Sequence, residues 1–158
     1  MTDVKTFLED VASQALATKV FGSTCTPQIE VTAESGAALF PLRDQSVIEV
    51  TLEAEHKRLR VGFATKDRGF NDQVEDQLLA SGESLGELLE TELEELNAES
   101  AQYAVDHYFD RDARAFRFST YVPYDAASLD QESFRKQTAL LAAAFRGVVR
   151  ELVEFYGH

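Results

Sequence analysis

Cysteine occurs once, at Cys25. That excludes an intramolecular disulfide and a thiolate metal cluster, and leaves a small, half-buried residue entering a strand. Histidine is almost as scarce: no two of His56, His107 and His158 have the spacing that aims two imidazoles at one metal. The eight glycines are scattered, so there is no phosphate-cradling loop, and no Gly-x-Ser-x-Gly elbow exists. No run of 18 apolar residues occurs, and the opening MTDVKTFLEDVASQ carries acids early. Neither a membrane span nor a signal peptide is expected, which makes the cytoplasm the expected compartment. Cations are few as well, with 15 Lys and Arg against 28 Asp and Glu and a formal net charge of −13. Nucleic acids and anionic membranes are repelled at long range, whereas basic proteins or tails are attracted.

What is present is a well-supplied core and one concentrated charge. With 44% hydrophobic and 10% aromatic residues, 158 residues suit a single domain over 1–158. Between positions 71 and 100 stand Asp72, Glu75, Asp76, Glu83, Glu87, Glu90, Glu92, Glu94, Glu95 and Glu99, with no Lys or Arg among them. Ser84 and Glu87 have capping-box spacing. Leu85, Leu88, Leu89, Leu93 and Leu96 then form an apolar helical stripe, with Glu87, Glu90 and Glu94 pointing away from it. This helix offers its greasy side to its own sheet or to a partner, and its anionic side to water.

A first helix is expected over residues 3–20 from Val4, Phe7, Leu8, Val11, Ala12, Ala15 and Leu16, with Gly22 as the stop. Pro27 opens a strand in which Ile29, Val31 and Ala33 share a face; Ser35-Gly36 reads as a turn, and residues 38–40 pair back before Pro41. Ile48, Val50, Leu52 and Ala54, then Leu59, Val61 and Phe63, alternate on either side of a turn near 55–57, the pattern of an antiparallel sheet covered on one side. The second of these strands has Arg58 and Arg60 on its wet face, with Lys57, Lys66 and Arg68 near its ends. Internal pairing or solvation explains this basic strip better than phosphate binding. Residues 66–82 read as a loop with one or two helical turns at Val74, Leu78 and Leu79. Two more strands follow, one with Tyr103, Val105, His107 and Phe109 on one face, the other with Phe116, Phe118, Thr120 and Val122. Ser128 and Gln131 predict a second capping box, opening a helix over 128–156. The fold class is α+β, in the order helix, four strands, helix, two strands, helix.

Several residues invite chemistry and are better explained by packing. His107 reads as a core or helix-facing histidine. Asp110-Arg111-Asp112 resembles a metal-binding pair but sits in a turn between strands. Aromatics with Arg114 and Arg117 in the last hairpin are similar to base-stacking sheets, but core packing and the net charge argue otherwise. Glu92 falls in the middle of the leucine stripe, where a lone charge is costly. A desolvated carboxylate is a candidate acid or base. No second catalytic group accompanies it, and the expectation is a salt bridge to a sheet arginine or snorkelling at the stripe's margin. No catalytic, cofactor-binding or metal residue is assigned.

Leu96-Asn97-Ala98 before an apolar hairpin, and Leu129-x-x-Glu132-x-Phe134 opening the last helix, resemble the YbjN family, whose fold is similar to that of type III secretion chaperones. The element order fits, except that four strands precede the middle helix where the chaperone pattern has three. The resemblance implies a non-enzymatic, dimeric protein that holds a partner polypeptide through a sheet edge and hydrophobic patches.

The function expected is therefore a chaperone-like or adaptor protein that binds another protein, one with a basic surface or itself a nucleic-acid binder. Glu83, Glu87, Glu90, Glu94 and Glu95 are the candidate partner-binding residues, and Leu140, Ala144 and Phe155 a candidate hydrophobic surface for a homodimer or partner. No direct nucleic-acid or membrane binding, and no cofactor, is expected. The alternative is a small-ligand binder or enzyme of helix-grip type, with a pocket under the last helix holding Tyr103, His107 and Glu92.

Overall fold

A computed structural model describes residues 3–32, 35–43, 45–99 and 101–155, and the backbone but not the side chains of 154 and 155. Six strands form one sheet, antiparallel throughout: β1 (Gln28–Thr32), β2 (Ser35–Pro41), β3 (Ser46–Glu53), β4 (Arg58–Thr65), β5 (Asp106–Asp110) and β6 (Ala115–Pro123), in the order β1-β2-β3-β4-β6-β5. The helices lie on one face, as the alternation in β3 and β4 requires. Ala38, Phe40, Ile48, Val50, Leu52, Leu59, Val61, Phe63 and Phe118 point into the core beneath them.

Helix α1 (Val4–Ala17) is capped by Asp3, whose carboxylate accepts from the Thr6 amide at 2.7 Å. It stops before Gly22, with Lys19 already at φ +68°. The Ser35-Gly36 turn expected from sequence is not one: both residues belong to β2, and Gly36 pairs with Val31. The glycine serves packing, since a Cβ there would lie 2.8 Å from the Glu30 carbonyl oxygen and 2.9 Å from Leu8 of α1. Ala33 lies outside the described residues, and Val31 is partly exposed rather than buried.

Residues 66–82 hold a full helix, α2 (Arg68–Ser81), where a loop with one or two turns is expected. Asp67 caps its start through the Gly69 amide, and Gly82, at φ +74°, ends it. Helix α3 (Leu85–Glu95) follows with the Ser84–Glu87 capping box fully formed. Its leucines pack on the last helix rather than on the sheet.

The predicted Ser128 capping box does not form. The Ser128 hydroxyl and amide are both engaged with Asp125, and residues Ser128–Asp130 make a 3-10 turn. Helix α4 starts later, at Glu132, and runs to Val149. It continues into a π-helical segment, Arg150–Phe155. The long helix lies between β3 and β4 on one side and α3 on the other, with α1 alongside. That explains why Leu141–Phe145 are buried without a break.

Candidate functional site

The carboxylates of α2 and α3 enter no ion pair among the described residues. Glu83, Glu87, Glu94 and Glu95 are exposed and Glu90 is half-buried. Among the described residues no Lys or Arg forms an ion pair with any of them, nor with Asp72, Glu75 or Asp76. The capping box uses one Glu87 oxygen, and Asn71 holds Glu75 at 2.6 Å. Of the other carboxylates, Asp72, Asp76, Glu94 and Glu95 are exposed.

The basic strip is spent elsewhere. On the helix-free face of the sheet, cross-strand register places Glu49 beside Gly62, Thr51 beside Arg60, and Ala64 beside Arg117. Glu49, only 4% exposed, accepts from Arg60 Nε at 3.3 Å and from Arg117 Nη1 at 2.5 Å. Arg60 also reaches Glu53 and the Thr51 hydroxyl, and Arg117 donates to Asp110 at 2.8 Å. Arg58 pairs with Glu53 at 2.6 Å and lies 4.1 Å over the Tyr121 ring. Three guanidinium groups and three carboxylates thus close a charge-balanced network. Burial alone lowers the Arg117 pKa, but Glu49 and Asp110 more than offset it, so the group stands above its ordinary value. Tyr108, hydrogen-bonded to Tyr121 at 3.0 Å, is pushed up to about 12, chiefly by burial. Internal pairing is therefore what Arg58 and Arg60 of the strip do, although their partners are strand acids and not the acidic helices; Lys57, Lys66 and Arg68 are exposed.

Glu92 is half-buried at the margin of the leucine stripe, beside an open cavity, and not in a salt bridge to the sheet among the described residues. No sheet arginine reaches it; its carboxyl group lies against Gly147 of α4, within 2.3 Å of where a Cβ would stand. Burial, with Glu95 and Glu151 nearby, raises it to about 7 against the opposing effect of Arg150. His107 stacks on Phe118 with centroids 3.9 Å apart, and its Nε2 meets Asn71 Oδ1 at 2.8 Å. Burial lowers its pKa against a pull from Glu75. It is the polar rivet that ties α2 to β5. Asp110 bonds the amides of Asp112 and Ala113, so that motif is a turn, held below the ordinary carboxylate range first by Arg117. Cys25 is half-buried, and burial raises its thiol.

Of the candidate hydrophobic surface, Ala144 is not at the surface. Ala144 is fully buried because α3 and α1 already cover the wide apolar arc of α4. Leu140 is half-buried, and the Phe155 side chain lies outside the described residues. The apolar residues left open are Leu79 on α2, 83% exposed, Phe109 on the outer strand β5, 50% exposed, and Val31 on the outer strand β1. The alternation with His107 places Phe109 inside, but β5 is an edge strand, and α2 meets it through Asn71 at His107, itself exposed.

Tyr103, His107 and Glu92 do not converge. Tyr103 accepts from Gln137 of α4 at 3.3 Å, His107 turns to α2, and Glu92 sits at Gly147. None of the main cavities is lined by more than one of the three, and all of these cavities open to solvent. Among the described residues no cluster of side chains has the arrangement of a metal site, and no helix is long and apolar enough to cross a membrane. In comparisons with known proteins, the chain matches no family model, no curated protein and no solved structure.

Proposed function

We propose that this chain is a non-enzymatic, chaperone-like or adaptor protein that binds a partner polypeptide through the acidic surface of α2 and α3. The observation that carries the reading is the separation of charge. The sheet arginines are consumed by Glu49, Glu53 and Asp110, while among the described residues the carboxylates of α2 and α3 enter no ion pair. Complementary charge of this kind raises association rates and makes them sensitive to salt. The partner it suits has a basic surface or tail, as many nucleic-acid-binding proteins do. The outer strands β1 and β5 offer free edges to which an extended segment can add. A cytoplasmic homodimer with the fold of the type III secretion chaperones, akin to the YbjN family, is the form in which we place this activity. The one-sided antiparallel sheet supports that likeness.

The test is capture from native extract on the tagged protein, with a salt-wash series, beside the triple variant Glu83→Lys, Glu90→Lys, Glu94→Lys. One basic protein should dominate the wild-type capture and leave as salt rises. Its association with the variant should slow by about tenfold or more at low salt. Equal kinetics for the two proteins would remove the acidic surface from the function.

A further inference from the structure

The helix-free face of the sheet holds a cavity that the partner-binding reading does not use. It is open, has a volume of about 360 Å³ and crosses β2, β3, β4 and β6. Small-molecule sites span about 300–1,000 Å³. Its apolar lining comes from Ala37 and Leu39 of β2, Val47 of β3 and Ala64 of β4. Its polar lining includes Glu49 and Arg117, whose side chains are only 5% and 12% exposed. The hydrogen bonds of this pair are incomplete. Both guanidinium contacts to Glu49 fall on one oxygen, Oε1, and among the described residues nothing donates to Oε2. Arg117 spends Nε on Asp110 and Nη1 on Glu49, and its Nη2 donates to no described residue. Arg60, by contrast, has all three nitrogens engaged. Leaving a buried carboxylate half-satisfied is costly, and apolar residues would fill the same place at less cost. Glu49 is thus a buried charge with an unused oxygen on the wall of a cavity, beside a guanidinium with an unused donor.

We infer that this cavity binds a small uncharged compound carrying a primary amide or a lactam on a compact apolar body. Such a group shows a carbonyl oxygen and an N–H on the same side, which the trans peptide group does not. The carbonyl accepts from Arg117 Nη2, the N–H donates to Glu49 Oε2, and the apolar body lies on Ala37, Leu39 and Val47. Oε2 and Nη2 belong to the two planar groups that the 2.5 Å bond joins, so one small head group serves both. A neutral head suits the site because the network is already balanced. A carboxylate would be repelled by Glu49 and an ammonium by Arg117, and neither residue can move away from its own partners without loss. Among the described lining residues the rim carries one exposed charge of each sign, Glu30 and Lys66. The site shares no residue with the acidic surface of α2 and α3, so it stands or falls apart from the partner-binding reading.

The test is a titration of the isotope-labelled full chain with benzamide, followed through its backbone amide resonances. Saturable shifts should centre on the strand residues that line the cavity, with a Kd of about 1 mM or below. Benzoate and protonated benzamidine have the same shape but bring only acceptors or only donors. Each should bind there at least about tenfold more weakly, because one of the two protein groups is then left facing its own kind. In Glu49→Gln the one remaining oxygen is held by the arginines, so the acceptor is lost and benzamide binding should fall by about tenfold or more. Ala37→Leu fills the cavity from β2 without touching the network. It should abolish the shifts while the melting midpoint stays within about 2 °C of wild type. No saturation up to about 10 mM benzamide would overturn the site. So would shifts centred elsewhere, equal affinity for either charged analogue, or undiminished binding to Ala37→Leu. If Glu49→Gln does not fold, Ala37→Leu decides.

Discussion

Gly62 is the residue on which the helix-free face turns. It stands opposite Glu49 in the register and against the backbone of β6, where a Cβ would come within 2.0 Å of the Phe118 carbonyl oxygen and 2.7 Å of Ser119 Cα. Backbone cannot swing aside as a side chain does, so the smallest possible addition has to separate the two central strands. Gly62→Ala should cost about 3 kcal/mol, measured by urea denaturation. A change below about 0.5 kcal/mol would mean that β4 and β6 are free to shift. The same contact explains why Glu49 is buried on a face with no helix over it. The side chains around it close over one another, and the arginines supply what a covering layer would otherwise have to supply. In sequence, Gly62 looks like one more scattered glycine, because the backbone it approaches lies more than fifty residues away.

The elements differ in how openly they declare themselves. Helix α3 carries a strong local code, a capping box followed by five leucines on one side; the box forms and the first four leucines are buried, while Leu96 caps the end half-buried. Ser84→Ala should therefore destabilise the protein by about 1 kcal/mol, read as a lower denaturation midpoint with an unchanged slope. No change would mean that packing on α4 alone holds the first turn. Helix α2 is the opposite case. It buries only Phe70, Asn71 and Val74, leaves Leu79 in water, and docks through the Asn71–His107 hydrogen bond. Its apolar stripe is too thin to announce a helix. The paired strands β3 and β4 were legible because strict alternation requires one wet face. The start of α4 was misplaced because a serine that can cap a helix can equally close a turn with the aspartate three residues before it. Of the candidate surface, the charged half was legible from composition, since a ten-residue excess of acids has to face water. The apolar half was not, because whether Ala144 is covered depends on where α3 and α1 land.

At the scale of the whole molecule, a net charge of −13 works against compactness, and much of it is gathered on two neighbouring helices. Added salt should screen this repulsion more than it weakens the largely buried pairs on the sheet. Raising NaCl from about 20 mM to about 300 mM should lift the melting midpoint by about 3 °C. A fall instead would place the sheet network, not the surface repulsion, in control of stability. The arrangement has one more consequence, for how the molecule meets an extended charged object. One side carries the exposed carboxylates of α2 and α3, and the opposite side carries the three guanidinium and three carboxylate groups of the sheet network. Near a positively charged plane, such as an anion-exchange bead or an amine-coated sensor, the protein is not a sphere that lands at random. It behaves as a compass needle, settling helices down and holding its bare sheet toward the solution.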